Sequence, residues 1–231
     1  MQRLDWPLLL YYITDRKPLG SNEALLERIR AAAQAGVDWI QLREKDLPVR
    51  ELEDLARRAR TAIEGTQAKL LINSRVDVAI ACGLDGVHLT SGKDELAASE
   101  ARVVFAKAGV ASPLIGVSCH SVEEVLLAES HGADFVVFGP VFGKAGQPGI
   151  GIDALRRACS ALPSESTMKV LALGGVDATN ATDTVRAGAA GVAGIRLFQT
   201  ENVMRTVGTV RNIGAAARNI PNSLLKNQHE R

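Results

Sequence analysis

Four segments of this chain share one pattern, in which a helical stretch ends at a glycine and a short apolar run follows. The segments are QAGVDWIQLRE, ACGLDGVHLT, SHGADFVVFG and RAGAAGVAGIR, with the glycines at Gly36, Gly83, Gly132 and Gly188. Glycine suits the position after a helix because it adopts the left-handed backbone conformation without a steric penalty from Cβ. The intervals of 47, 49 and 56 residues each have room for two βα units. The repeats therefore predict eight units.

Eight short apolar segments are the candidate strands. Four follow the glycines, at 38–43, 86–89, 134–139 and 191–195, and four lie between them, at 8–14, 68–73, 113–118 and 169–174. Such short, uniformly apolar strands are typical of parallel sheets covered on both faces. Helical patterns fill the gaps, among them 22–34, a segment that Pro48 opens, and a capping box formed by Ser121 and Glu124.

Strict alternation of strands and helices over eight units predicts an α/β fold, a single (β/α)8 TIM barrel covering residues 1–205. A doubly wound open sheet is the alternative, although it does not require eight evenly spaced strands. The pattern weakens beyond residue 205, and residues 206–231 are predicted to be an extension of the last helix with a polar tail.

The composition narrows the classes of partner. A net charge of +1 and 4% aromatic residues argue against nucleic acid, and no apolar run reaches the length of about 18 residues that a membrane span needs. Three cysteines are too few for a disulfide framework, and the N-terminus lacks the features of a signal peptide. We therefore expect a cytoplasmic protein with small-molecule substrates, either alone or as a homo-oligomer.

In a barrel of this type the active site forms where the strands end at their carboxyl side. The stretch QLREK places Gln41 and Arg43 two residues apart, on the same side of a strand, and Lys45 can share that direction. Arg43 and Lys45 predict an anion site, because arginine can bind a phosphate through two parallel hydrogen bonds. The alternative is a set of ion pairs with Glu44 and Asp46.

The ends of the last two strands predict a phosphate site. LALGGV and AGIRL place Gly175 and Arg196 where barrels often bind phosphate through backbone N–H groups. Cys119 beside His120 could indicate covalent catalysis, but neighbours on a strand point to opposite sides, which argues against that pair. A zinc site at His88 and His120 is also disfavoured, since no third ligand has suitable spacing.

Read in order, these strand ends resemble the thiamine-phosphate synthase family and its relative, the thiazole tautomerase TenI. The matching pieces are YYITD, QLREK, LLINSRVDVAIACGLDGVHL, IGVSCHS, GADFVVFGPVF, LALGGV and AGAAGVA, over roughly residues 10–200. The family's synthase couples hydroxymethylpyrimidine diphosphate to thiazole phosphate and releases pyrophosphate. The resemblance implies the same barrel fold and a magnesium ion.

The resemblance also implies roles for individual residues. Gln41, Arg43, Lys45 and Asn73 would hold the pyrimidine and its diphosphate, and Ser118 would contact the pyrimidine ring. Lys144, after Gly143 in a glycine-rich loop, would bind the pyrophosphate. The thiazole phosphate would lie near Gly175, Ile195 and Arg196.

The sequence departs from the family pattern at the metal site. Ser74 occupies a position where the family has a magnesium-binding aspartate, and a serine hydroxyl lacks the anionic charge that Mg²⁺ favours. In the loop HLTSGKDEL, Lys93 stands at the position of the second ligand and Asp94 follows one residue later, so Asp94 is the candidate ligand. The family's Thr-Pro-Thr-Lys segment is shortened to Phe142-Gly143-Lys144.

Three functions are consistent with these residues. The first is an active synthase with a modified metal site, a transferase that forms thiamine phosphate. The second is a TenI-like tautomerase that depends little on metal, with His120 as its acid–base group. The third is a barrel that has lost catalysis and binds thiamine precursors or a partner protein.

Overall fold

The computed structural model describes residues 7–92, 94–143 and 148–218. Eight parallel strands pair in sequence order and close between the first and the last, so the predicted (β/α)8 barrel is confirmed and the open sheet is excluded. The strands are β1 (Leu9–Ile13), β2 (Trp39–Leu42), β3 (Lys69–Asn73), β4 (Gly86–Leu89), β5 (Leu114–Cys119), β6 (Phe135–Phe138), β7 (Lys169–Leu173) and β8 (Gly191–Gly194).

One helix follows each strand and packs on the outside of the barrel. The helices are α1 (Asn22–Gln34), α2 (Val49–Ala62), α3 (Val76–Cys82), α4 (Ala98–Lys107), α5 (Val122–Ser130), α6 (Ile152–Ala161), α7 (Ala181–Arg186) and α8 (Val203–Arg218). The four glycines that mark the repeats all have positive φ, between +61° and +104°. Their places after the helices follow from the conformation that only glycine adopts at low cost.

Side chains alternate between two apolar layers, as the pleat of a strand requires. Leu10, Tyr12 and Leu42 belong to the large layer between the strands and the helices, whereas Tyr11 and Phe135 fill the barrel interior. Gly116 makes room for this filling, because a Cβ there would lie 2.1 Å from the ring of Phe135.

Two local features refine the sequence predictions. Ser121 caps α5 by accepting a hydrogen bond from the Glu124 backbone N–H at 3.2 Å, but the Glu124 carboxylate accepts from the backbone N–H of His120 rather than from Ser121. Helix α8 runs through position 205, and its residues Val207 and Val210 are buried. None of the helices within the described ranges combines the length and apolar character needed to cross a bilayer.

Candidate functional site at the mouth of the barrel

The charges that follow β2 are divided between two sets of partners. Glu44 is 4% exposed and accepts hydrogen bonds from Thr14 Oγ1 at 2.6 Å and from the backbone N–H of Arg16 at 3.2 Å. Burial raises the pKa of the Glu44 carboxyl, and these hydrogen bonds oppose that effect. Asp46 pairs with Arg16 at 2.7 Å and with Lys17 at 3.6 Å.

The acidic residues of QLREKD are therefore neutralised by the loop after β1, not by Arg43 and Lys45. Within the described part of the chain, Arg43 and Lys45 form no salt bridge, so the alternative of a closed set of ion pairs is wrong for these two cations. Lys45 is exposed and lines a cleft of about 190 Å³ with Asn73 and Ser74. Two cations that form no salt bridge with the described residues suit a diphosphate.

Neutral polar side chains connect β1, β2 and β3 inside the barrel. Gln41 is 1% exposed; its Nε2 donates to Oδ1 of Asn73 at 3.1 Å, and its Oε1 accepts from the hydroxyl of Tyr11 at 3.3 Å. The prediction that Gln41 points into the barrel is confirmed by these contacts. Tyr11 was not among the predicted site residues, although its inward direction follows from strand alternation in YYITD.

His88 extends these contacts to β5. Its Nδ1 lies 3.1 Å from the Tyr11 hydroxyl and its Nε2 lies 2.9 Å from Ser118 Oγ. Burial, aided by the charge of Arg43, lowers the pKa of His88 to about 3, so its ring is neutral near pH 7. Ser118 is half-buried. Asn73, Gln41 and Ser118 thus lie on one polar surface of the barrel interior.

The loop after β4 brings Glu95 to the predicted metal position. Ser74 Oγ donates a short hydrogen bond to Glu95 Oε2, and the backbone N–H and the hydroxyl of Thr90 lie 3.4 and 3.3 Å from the same oxygen. Asp94, the residue predicted as a ligand, is exposed, and no hydrogen bond or salt bridge joins its side chain to another described residue. Sequence spacing could not choose between these two adjacent carboxylates.

The donors present fit a magnesium ion only in part. No group of three or more histidine, cysteine or acidic side chains suitable for a metal occurs among the described residues. Mg²⁺ often keeps several waters and binds through one or two carboxylates together with substrate phosphates. Glu95 can supply one carboxylate oxygen, Oε1, because all three hydrogen-bond donors near this group contact Oε2.

The ends of β7 and β8 form the larger cleft of the mouth. It has a volume of about 540 Å³ and is lined by Gly175, Arg196, Arg205 and Thr206, among others. Arg196 and Arg205 are both exposed, and neither forms a salt bridge with another described residue. Arg205 belongs to α8, which packs against α7, and it lines the cleft together with the residues that follow β7 and β8.

Gly175 also contacts the loop that follows β6. Its φ is +64°, and a Cβ there would lie 2.8 Å from the carbonyl oxygen of Phe142 and 2.9 Å from that of Gly143. The backbone N–H of Phe142 donates to the Gly174 carbonyl at 2.9 Å. Gly143 is thus held against the predicted phosphate turn, while Lys144 lies outside the described residues and its role stays a prediction.

The remaining predicted residues are distributed around the mouth. His120 is exposed and its Nδ1 lies 2.5 Å from the Gly139 carbonyl oxygen. Ile195 is half-buried and packs against the interior layer. Cys119 is completely buried among the residues between strands and helices, and burial raises the pKa of its thiol to about 12. A buried, protonated thiol is a packing residue, in agreement with the prediction against covalent catalysis.

Comparison with known proteins agrees with this geometry. Residues 10–198 match the family model described as thiamine monophosphate synthase. A relative from Geobacter sulfurreducens, provisionally named a thiamine-phosphate synthase, is 44% identical over 198 residues, which are 84% of this chain and 86% of that protein. The thiamine-phosphate synthase of Methanoculleus marisnigri is 38% identical over 216 residues, covering 90% of this chain and 96% of its own.

A solved structure from the same group of proteins has a similar fold. The thiamine phosphate pyrophosphorylase from Pyrococcus furiosus superposes with a TM-score of 0.77 at 31% identity, covering 91% of this chain and 96% of that one. Residues 10–198, which match the family model, contain β2 to β8, all of β1 except Leu9, and every strand end described above. This chain belongs to the thiamine monophosphate synthase family.

Proposed function

We propose that this protein is a thiamine-phosphate synthase, which couples 4-amino-2-methyl-5-hydroxymethylpyrimidine diphosphate to thiazole phosphate and releases pyrophosphate. The observation that carries this proposal is the separation of charges after β2. Glu44 and Asp46 are engaged by residues of the β1 loop, which leaves Arg43 and Lys45 for an anionic ligand at the mouth. Family membership supports the same reaction.

The reaction needs positioning and charge stabilisation more than a protein nucleophile. As the carbon–oxygen bond to the diphosphate breaks, negative charge grows on the leaving group, and Arg43 and Lys45 stabilise it. The aminopyrimidine shares the positive charge left on its methylene carbon, and the thiazole nitrogen then forms the new bond there. Holding the two substrates in one mouth provides the orientation that the step requires.

Magnesium is part of the proposal. When bound, the ion supplies further neutralisation of the diphosphate. Glu95 would hold it through Oε1, with the diphosphate oxygens and water as the other ligands. Ser74 takes no direct part, because its hydroxyl already donates to Glu95. The ligand role predicted for Asp94 therefore passes to its neighbour in this proposal.

The second substrate occupies the larger cleft. Its phosphate would lie at the Gly174–Gly175 turn, where backbone N–H groups are available, and Arg196 would add a full positive charge. Arg205 from α8 lines the same space and would extend this positive surface.

The decisive experiment incubates the purified protein with both substrates and Mg²⁺ and measures thiamine phosphate by chromatography. We expect product, and we expect Arg43→Ala to form it much more slowly at low substrate concentration. Absence of product from the wild-type protein at every Mg²⁺ concentration would refute the proposal.

A tautomerase activity is the second candidate, and the hydrogen bond between the His120 ring and the Gly139 carbonyl favours it. A carbonyl oxygen only accepts, so the contact with Gly139 places the His120 proton on Nδ1 and leaves Nε2 free as a base. A thiazole carboxylate phosphate is the substrate to test. If His120→Asn isomerises it as fast as the wild-type protein, His120 is not the base.

A further inference from the structure

The polar side chains inside the barrel form a hydrogen-bond chain whose direction can be assigned from one end. That end is Glu95, because a carboxylate accepts hydrogen bonds and donates none. Ser74 has one hydroxyl proton and directs it to Glu95 Oε2, so the Ser74 oxygen accepts from its other neighbour, the amide nitrogen of Asn73 at 3.0 Å. With its nitrogen committed, Asn73 offers only its oxygen to Gln41, which donates through Nε2 at 3.1 Å.

The same reasoning continues across the barrel. Gln41 now presents Oε1 to Tyr11, so the phenol proton points to Gln41 and the Tyr11 oxygen accepts from Nδ1 of His88. A neutral imidazole carries one proton, and this contact places it on Nδ1. Nε2 is then bare and accepts the hydroxyl proton of Ser118 at 2.9 Å. From Ser118 onwards, each group in this hydrogen-bond chain donates to the next one in the direction of Glu95.

We propose that Tyr11 and His88 are positioning residues, which turn the hydroxyl proton of Ser118 inward so that its oxygen faces the substrate as a hydrogen-bond acceptor. This inference rests on the proposed function, since the group that meets Ser118 would be the amino substituent of the pyrimidine. An amino group can donate a hydrogen bond to the Ser118 oxygen. An oxo group at the same ring position can only accept one. The hydrogen-bond chain would therefore favour binding of aminopyrimidine diphosphates over oxopyrimidine diphosphates.

The energetic basis is the cost of an unmatched polar contact. Ser118 has a single proton, and His88 Nε2 holds it inside the barrel. A ligand oxygen placed against the Ser118 oxygen would meet lone pairs on both sides, and a site built to receive a hydrogen bond rejects a ligand that cannot supply it. The contacts that keep this proton inward lie on β1 and β4, which are rigid elements of the barrel.

Tyr11→Phe is the critical variant, because it removes the acceptor for Nδ1 and leaves the ring in place. The imidazole proton is expected to move to Nε2, where it finds the Ser118 oxygen as a partner, since an unpaired buried N–H is costly. The Ser118 proton then becomes available to the ligand. Tyr12→Phe is the matched control, because the Tyr12 hydroxyl accepts from Gln199 outside the barrel interior.

Two measurements test this inference. Long-range ¹H–¹⁵N spectra of the histidine rings, assigned with a His88→Asn sample, read the tautomer without any substrate. We expect Nδ1–H in the wild-type and Tyr12→Phe proteins and Nε2–H in Tyr11→Phe. Steady-state kinetics with 4-amino- and 4-oxopyrimidine diphosphates then give the ratio of kcat/KM values, which we expect to fall about tenfold or more in Tyr11→Phe and to stay unchanged in Tyr12→Phe.

A wild-type His88 protonated on Nε2 would overturn the inference, as would an unchanged substrate ratio in a Tyr11→Phe protein whose tautomer has switched. Failure of the proposed function gives a different result. In that case the wild-type protein makes no thiamine phosphate from the amino substrate, while the tautomer of His88 is still read from the spectra.

Discussion

Ser74 Oγ donates a hydrogen bond to Oε2 of Glu95, and this contact joins the end of β3 to the loop after β4. Ser74 reaches it from a left-handed backbone conformation with φ of +59°, the only positive φ outside glycine among the described residues. A non-glycine residue pays for this conformation in steric strain, and such residues occur often at functional sites. The contact brings a carboxylate to the side of the mouth where we propose that the diphosphate binds.

Removing the Glu95 carboxylate should weaken metal binding. Mn²⁺, a paramagnetic substitute for Mg²⁺, is expected to bind the wild-type protein tightly only when pyrophosphate is present, because one protein carboxylate makes an incomplete site. Glu95→Gln should weaken binding with pyrophosphate by about tenfold or more, since the ligand loses its charge. Asp94→Asn is the control one residue away and should leave binding unchanged. Electron paramagnetic resonance titration measures both, and the reverse order of effects would assign the metal to Asp94.

Arg43→Ala should raise KM for the pyrimidine diphosphate. Arg43 has no salt bridge with the described residues, so its loss removes a charge-assisted contact with substrate and leaves no buried acid unpaired. Such contacts contribute roughly 1.5–3 kcal/mol, and kcat/KM should fall by about 10- to 100-fold. Lys17→Ala is the control, because Lys17 is exposed and pairs with Asp46. Equal effects of the two substitutions on kcat/KM would mean that only the net charge matters.

Arg196→Ala should raise KM for thiazole phosphate and leave that for the pyrimidine substrate nearly unchanged. The side chain lines the cleft at the Gly175 turn, far along the chain from the β2 cations. We expect about a tenfold change, reduced at high salt because Arg196 is exposed. Arg186→Ala, at the opposite end of α7 from the mouth, provides the control. Two-substrate kinetics separate the effects, and a rise in the pyrimidine KM alone would contradict the assignment.

His88 should make stability depend on pH. Its pKa is about 3 in the folded protein, below the ordinary value of 6.5, so between these values the unfolded chain binds a proton that the folded protein does not. The stability that comes from keeping His88 neutral is fully present above about pH 6.5 and is lost as the pH falls towards 3. At about pH 4.5 the loss should be roughly 2–3 kcal/mol, at ~1.4 kcal/mol per pH unit.

Urea unfolding of the wild-type and His88→Gln proteins at pH 7 and about pH 4.5 measures this effect. The variant should lose less free energy of unfolding over that interval, whatever its stability at pH 7. Equal losses of the free energy of unfolding in the two proteins would mean that folding does not lower the pKa of His88 to about 3.

The barrel could be predicted from the sequence because its signals are local. Each glycine after a helix and each apolar run reports a conformation determined by neighbouring residues, and eight repetitions leave few architectures. The direction of Gln41 followed from the alternation of β2 in the same way. These predictions required no knowledge of which strand ends lie beside each other.

The pairing of charges required the tertiary structure. Arg43, Glu44, Lys45 and Asp46 adjoin in sequence, and the sequence alone allowed them to neutralise one another. The loop after β1 supplies Thr14 and Arg16 to Glu44 instead, a contact that exists because β1 and β2 are neighbours in the barrel.

The residue pattern alone was sufficient to predict that eight βα units direct cationic and amide side chains to one rim, because strand direction and side-chain alternation are local properties. The tertiary structure determines which carboxylate meets Ser74, because Asp94 and Glu95 adjoin in one loop whose fold directs Glu95 to the end of β3. It also decided the direction of the hydrogen bonds from Ser118 to Glu95. That direction depends on one acceptor, Glu95, at the end of the hydrogen-bond chain. Except for the neighbours Asn73 and Ser74, the bonded groups are 21 to 77 residues apart in sequence, and the barrel brings them together.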